Sequence, residues 1–195
     1  MPPNKKKMPR KKNSNIKLYK IDDVVYKSKT LFDFHIECKE MLSKKLIEAF
    51  EVPEALSKKS RYTTYKPLIN DIKFDSLMEA RYYLKLLKDK KDGIIKSFEM
   101  QKTYPLQPKF KKNGKTFQAI DYVSDFFVVV NNEVKYVVDI KGKETVEFRI
   151  KHKMFEYKYP ELELKVIQYY EPTDKWLELS EIRKLNRKSK SKKTK

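Results

Sequence analysis

Tyr136-Val137-Val138-Asp139-Ile140-Lys141-Gly142 is an apolar run that ends on an acid and a lysine two residues apart. The run reads as a strand. Side chains two apart on a strand share a face, so Asp139 and Lys141 point together and Ile140 points away. The neighbouring elements fall into order around it. Ser76 is an N-cap for a helix with Leu77, Ala80, Tyr83, Leu84 and Leu87 at helical spacing, and Glu79 takes the capping-box position. Gly93 ends that segment and Ile94 to Met100 reads as a strand. Gln101 to Phe110 is a proline-broken extended stretch, and Asn113-Gly114 signals a turn. Thr116 to Val130 reads as one long strand whose partner, after Asn131-Asn132, is Val134 to Ile140. Thr145 to Tyr157 reads as a helix stopped near Pro160, and Leu164 to Tyr170 as a last strand. Helix, three strands, helix, strand predicts an α/β fold, with a central mixed sheet flanked by helices.

Register decides which upstream acid can reach Asp139. Asp121 and Asp125 lie four apart on the predicted long strand and so face the same side. Opposed residues of an antiparallel pair also point the same way. A two-residue turn at Asn131-Asn132 sets Asp125 against Val138, with the wrong parity. A three-residue loop, Asn131 to Glu133, sets Asp125 against Asp139 and Asp121 against Lys143. Glu133 is a poor occupant of the left-handed position that such loops commonly end on, and a β-bulge would serve as well. That register, with Asp125 and not Asp121 opposite Asp139, selects Asp125.

Lys and Arg number 46 against 27 Asp and Glu, a formal net charge of +19 over 195 residues. So basic a chain favours a polyanion, nucleic acid first, through counterion release. No long apolar stretch spans a bilayer, and no apolar core follows the N-terminal lysines as in a secretory signal. Cys38 is the only cysteine, so no internal disulfide forms and a reducing, cytoplasmic setting is expected. Cys38, His35 and His152 cannot supply a structural zinc site, which leaves oxygen ligands and Mg²⁺ or Mn²⁺ as the expected metal.

Residues 1–15 and 183–195 are runs of Lys, Arg, Pro, Ser and Asn that bury no apolar area, and both are expected to be disordered basic arms. Residues 69–182 hold the predicted core. Residues 16–68 form an accessory segment that partly repeats it: Ile21 to Ser28 aligns without gaps on Ile69 to Ser76, an offset of 48 that returns at Phe50-Glu51 and Phe98-Glu99. Each copy should form an extended entry, a Ser-capped helix and a return strand. Leu31 stands in the first copy where Glu79 stands in the second, so the first copy lacks the helix acid. It reads as a degenerate half-copy used in packing or DNA contact.

Three carboxylates, Glu79, Asp125 and Asp139, with the amine of Lys141, suit a Mg²⁺-dependent phosphodiester-cutting site. The acids would hold metal, with the Ile140 carbonyl as a candidate ligand, and Lys141 would position the attacking water. The plainer reading is an ion pair of Asp125 or Asp139 with Lys141, and a Glu79 that only caps its helix. Tyr82, Tyr83, Phe117 and Tyr122 are candidates for stacking on bases.

Five stretches in order also resemble a known family: Phe74 to Ala80, Phe98 to Gln101, Tyr122 to Phe126, Val138 to Gly142 and Phe148 to Phe155. Together they look like the phage-encoded endonuclease-like proteins, formerly a domain of unknown function, of the PD-(D/E)XK nuclease superfamily. The resemblance covers about Asp71 to Tyr170. It implies a restriction-endonuclease-like αβββαβ core and Mg²⁺-dependent DNA cleavage, of the Holliday-junction resolvase or phage recombination and repair kind. It also implies action in the host cytoplasm on branched or double-stranded DNA, with a homodimer expected for a junction cutter. The helix acid is then Glu79, the strand acids Asp125 and Asp139, and the lysine Lys141. Gln101 and Lys153 correspond to polar family positions, and Lys151 and Lys153 are candidates for contact with DNA phosphates, Lys153 before Lys151. The alternative is a non-catalytic DNA-binding protein that retains a nuclease fold.

Overall fold

Two serines 48 residues apart each open a helix. A hairpin of β1 (Tyr19–Ile21) and β2 (Val24–Tyr26) leads through Ser28 into α1 (Lys29–Ser43). A second hairpin, β3 (Leu68–Ile69) and β4 (Ile72–Lys73), leads through Ser76 into α2 (Leu77–Lys91). The Ser28 hydroxyl accepts from the Leu31 amide at 3.5 Å and the Ser76 hydroxyl from the Glu79 amide at 3.1 Å. Each cap satisfies a helix donor that otherwise has no partner. The offset holds to the ends. Asp22 and Asn70 both turn their hairpins at φ 47°, and Lys45 and Gly93 leave their helices at positive φ. The Leu46 amide bonds the Met41 carbonyl as the Ile94 amide bonds that of Asp89. The predicted repeat is therefore a repeat of structure, except in its return. The second copy continues into a strand, whereas Phe50 makes a single antiparallel bridge to Ile69. The computed structural model describes residues 19–22, 24–26, 28–51, 65–132 and 134–193. The arm 1–15, Glu133 and residues 52–64 of the accessory segment lie outside the described residues.

After α2 come β5 (Ser97–Met100), β6 (Thr103–Gln107), β7 (Phe110–Lys112), β8 (Lys115–Phe117), β9 (Ile120–Val123), β10 (Phe126–Val129) and β11 (Lys135–Ile140). The chain then forms α3 (Val146–Lys158), β12 (Glu163–Tyr170), a 3-10 turn (Glu171–Thr173), β13 (Lys175–Glu178) and α4 (Leu179–Lys193). The central sheet has the order β13-β12-β11-β10-β5, with β11 and β12 parallel and the other neighbours antiparallel. The fold is thus mixed α/β around a mixed sheet, as its sequence pattern predicts.

Alternating residues of the sheet fill two cores. Phe126, Val128, Val138, Ile140 and Ile167 pack with α1 and α2, while Phe127, Val137, Leu164 and Val166 pack with Phe148 and Phe155 of α3. The register pairs Phe126 with Val138 and Val129 with Lys135, and the Val130 amide bonds the Val134 carbonyl at 3.0 Å. This is the three-residue loop that sets position 125 opposite position 139.

Two expectations are corrected. The long strand from Thr116 to Val130 is three strands, β8, β9 and β10. They run against β7, β6 and β5 as one ribbon that is bent where Gln101 takes φ 50° and where the Ser124 amide bonds the Lys102 carbonyl. The tail from Arg183 is not disordered through its length, since α4 runs to Lys193. Leu179 and Ile182 are buried and dock the first turn, and the Lys and Arg residues beyond are good helix formers that favour a helix C-terminus. Among the described residues no helix is long and apolar enough to cross a membrane.

The first copy is held to the second through Arg81 of α2. Its Nε donates to Glu37 Oε2 of α1 at 3.0 Å, a second N–H reaches Oε1, and the guanidinium lies 4.2 Å from the Tyr169 ring centre. Arg81→Ala should cost about 2–3 kcal/mol, because it leaves Glu37 half-buried without its cation. That is roughly 5–10 °C in Tm by calorimetry. Arg81→Lys should recover little, since it lacks the planar fork. An unchanged Tm would mean that apolar packing alone holds the two copies together.

Candidate active site

The bend in the ribbon places Asp125 at the edge of the central sheet, where its side chain bonds to the last turn of pairing on β11. Its Oδ2 accepts from the Ile140 amide at 2.6 Å, and its carbonyl accepts from the Gln101 amide at 3.1 Å. Asp139 lies on β11 with 1 % of its surface exposed. Its Oδ2 accepts from the Tyr122 hydroxyl at 2.6 Å, and the Lys141 ammonium approaches its Oδ1 to 2.8 Å. That approach is an ion pair without the angle of a hydrogen bond, so Oδ1 is a buried oxygen with no hydrogen-bond donor. Lys141 is half-buried, stands 5.4 Å from the Phe148 ring centre and ties its own amide to the Ile167 carbonyl.

Glu79 reaches the site from the other layer. One oxygen accepts from the Ser76 hydroxyl at 2.9 Å, which completes the cap. Glu79 also lines two clefts that meet at it. One, about 270 Å³, is shared with Gln101 and Asp125; the other, about 490 Å³, with Ile140 and Lys141. Glu79 therefore both caps its helix and lines the clefts.

The electrostatics follow from burial. The Asp125 carboxyl is pushed up to about 7, first by burial and then by the charge of Asp139. The Ile140 amide and Lys141 work against that rise. Burial likewise raises Glu79 above the usual carboxylate range. For Lys141, burial alone would lower the ammonium pKa, but Asp139, with Asp125 and Glu79 behind it, reverses the direction and raises it. Tyr122 is raised by burial and by Asp139, which keeps its phenol a donor.

Asp125, Asp139 and Lys141 are thus brought together, with Glu79 and Gln101 at the rim. Among the described residues no three His, Cys, Asp or Glu side chains converge into a ready-made metal cage. Mg²⁺ keeps several of its waters and takes one or two carboxylates. Two neighbouring carboxyls, one with an undonated buried oxygen, fit such an ion. Lys151 instead pairs with Glu147 at 3.1 Å, and Lys153 is exposed on α3; neither lines the two clefts beside Glu79. Asp121 is exposed on β9, because the break at Ser124 separates it from the strand that carries Asp125's neighbours.

The base-stacking expectation is corrected for three of its four residues. Tyr82 packs on Phe126 and Trp176, Tyr83 on Phe74 and Phe98, and Tyr122 on Phe148 and Phe155, all buried. Phe117 is exposed. Sequence reasoning missed Tyr122 as the donor to Asp139. Nothing in local spacing marks it, because the contact exists only once β9 leaves the central sheet to pair with β6. Gln101, in contrast, carries a backbone signal, a left-handed conformation that a non-glycine residue rarely adopts.

The raised Asp125 makes the pair a source of instability with a definite pH dependence. The folded chain keeps a proton on Asp125 up to about pH 7, whereas the unfolded carboxyl releases it near ~4. Stability therefore falls as pH rises through that window, and the penalty is complete above it. Asp125→Asn keeps an acceptor for the Ile140 amide and removes the charge. It should match wild type near pH 4 and exceed it at pH 8, without divalent ions, by on the order of 2 kcal/mol, roughly 4–8 °C in Tm. Added Mg²⁺ should raise the Tm of wild type and not of the variant. Equal melting of the two at pH 8 would show that the two acids do not oppose each other.

Compared with curated proteins, the chain has no match, and no solved structure matches it either. Residues 59–171 match the model of one family, described as protein of unknown function (DUF1064). The matched span is more than half the chain and includes Glu79, Gln101, Asp125, Asp139 and Lys141. The chain is therefore a member of the DUF1064 family.

Proposed function

We propose that this protein is a Mg²⁺-dependent DNA endonuclease, with Mn²⁺ as an alternative ion, built on a restriction-endonuclease-like αβββαβ core of the PD-(D/E)XK type. The observation that carries the reading is the half-buried Asp125 opposed by the charge of the buried Asp139, with Lys141 beside them, at the rim of the central sheet. Repelling carboxylates cost stability wherever they have no cation to share, and they are kept where that cation does work. The order α2, β5, β10, β11, α3, β12 supports the fold half of the reading, and the net charge of +19 supports a DNA partner.

Asp125 and Asp139, with the Ile140 carbonyl, are the groups that would hold the ion. When bound, the ion supplies positive charge against the scissile phosphate and acidifies water. Lys141 turns its ammonium from Asp139 to a water in line with the phosphorus and stabilises the charge that develops there. Glu79, with its raised pKa, stands at the cleft junction as a proton carrier. Water adds to phosphorus as the bond to the 3′ oxygen breaks, leaving a 5′-phosphate and a 3′-hydroxyl. Branched or double-stranded DNA in phage recombination or repair, cut by a homodimer, is the substrate and assembly that the resemblance implies.

A second reading, a DNA-binding protein that keeps the fold without cleavage, is favoured by one observation. Both oxygens of Asp139 already face partners inside the chain, Tyr122 and Lys141. A plasmid-nicking assay with Mg²⁺ and Mn²⁺, on supercoiled and branched DNA, separates the two. Wild type should nick, and Asp139→Ala, Lys141→Ala and Glu79→Gln should each lose on the order of 10²–10³-fold in rate. Nicking that survives both Asp139→Ala and Lys141→Ala would sink the site assignment. DNA binding in EDTA, with no nicking under any metal, would establish the second reading.

A further inference from the structure

The ribbon that carries Asp125 does not stop at the sheet. Beyond β6 and β9 it continues as β7 and β8, closed by Asn113-Gly114 at φ 51° and 71°. Every residue from 108 to 119 is exposed. Lys109, Lys111, Lys112 and Lys115 lie within it with no acid, and none of the four pairs with an acid among the described residues. Phe110 and Phe117 oppose each other across the ribbon, stacked with ring centres 4.7 Å apart and planes at 5°, yet 40 % and 44 % exposed. A two-stranded hairpin with no core of its own is marginal in water, so this stack is what stiffens it. Strand alternation puts Lys112 and Lys115 on the face of the phenylalanine pair and Lys111 on the other. Both faces are therefore positive.

We propose that the β7–β8 ribbon is a duplex-DNA arm that enters the major groove beside the cut site. The inference rests on the nuclease reading and names the form of its substrate. The B-form major groove, about 12 Å wide, admits a two-stranded ribbon, and lysines on both faces meet the phosphates of both walls. Single-stranded bases fit less well, because each phenylalanine already spends one ring face on the other. The narrow major groove of duplex RNA excludes the ribbon. From Lys115 to Asp125 the strand spans at most roughly 35 Å when extended, close to one turn of B-DNA at about 34 Å. The arm can thus hold the duplex up to about one turn from the phosphate to be cut. Both feet of the ribbon, Gln101 and Asp125, stand in the site itself.

The test is binding of the full chain to a labelled duplex spanning two helical turns, by anisotropy against salt in EDTA, beside the nicking assay. The variant carries Lys109→Ala, Lys111→Ala, Lys112→Ala and Lys115→Ala together; a second carries arginine at the same four positions. The alanine variant should bind about tenfold or more weakly, with a salt slope shallower by roughly 3, and should nick proportionately less at limiting DNA. Its Tm should be unchanged, since the four side chains touch no core, and the arginine variant should bind as wild type does. Should the alanine variant bind within about twofold of a wild type that nicks, the arm is refuted and the nuclease reading stands. A lysine-dependent loss of binding in a wild type that never nicks upholds the arm and refutes the nuclease. Equal affinity for duplex RNA, with the same loss in the variant, also overturns the major-groove assignment.

Discussion

One hydrogen bond organises this molecule, that from the Ile140 amide to Asp125 Oδ2 at 2.6 Å. Asp125 sits where the long ribbon leaves the sheet, and Ile140 is the last residue of the central strand β11. A backbone donor at a strand end has no ladder partner, and a side-chain acceptor there closes the sheet without another strand. The same bond brings one carboxylate against a second. Without it the ribbon could bend elsewhere, and Asp125 would have no fixed relation to Asp139. The left-handed turn at Gln101 and the Ser124 amide bond to Lys102 are the matching half of the bend on the opposite strand.

That arrangement costs stability, since it sets a second carboxylate beside a buried one. Asp139 is more deeply buried than any ordinary carboxylate, and it survives there because Tyr122 donates to one oxygen and Lys141 sets a positive charge against the other. Asp125 has no comparable cation and is the acid whose proton affinity rises. Burial and the charge of its neighbour leave Asp125 poised near neutrality. Beside them the ammonium of Lys141 is held by the two acids and is not expelled by burial.

Much of this is legible in the sequence, for physical reasons that can be named. Helix caps and turn residues are local, so Ser28 and Ser76 mark both helix starts and the offset of 48 carries through to Lys45 and Gly93. The alternation of side chains is strict, so sharing a face with Asp139 demands a three-residue loop or a bulge, and the observed register sets position 125 opposite position 139. The features that escape are non-local. The break at Ser124 has no breaker residue, since neither Gly nor Pro stands between Thr116 and Val130. It arises because β9 finds β6 and β10 finds β5 and β11. The aromatic residues are ambiguous because helical and strand spacing mark a buried face as readily as a binding face. The helical tail escapes because two docked apolar residues, Leu179 and Ile182, suffice to start a helix that charged residues then propagate.

The two copies of the hairpin-helix unit use the same helix start in different surroundings. Both keep the serine cap, the 15-residue helix and the same exit. In the first, Leu31 replaces the glutamate, and two polar contacts close within the unit: the Tyr26 hydroxyl meets His35 Nδ1 at 2.6 Å, and Asp22 pairs with Lys39. In the second, the helix start faces the ends of β10 and β11, where a carboxylate at the third helical position gains electrostatic company from Asp125 and Lys141. The copies part company at the helix exits. The exit of the second copy becomes the edge strand β5 and hence the ribbon, while Phe50 ends in a bridge to Ile69 beside the hairpin of the second copy. Glu37 of the first copy, reaching across to Arg81, makes that copy a buttress for the helix that bears Glu79.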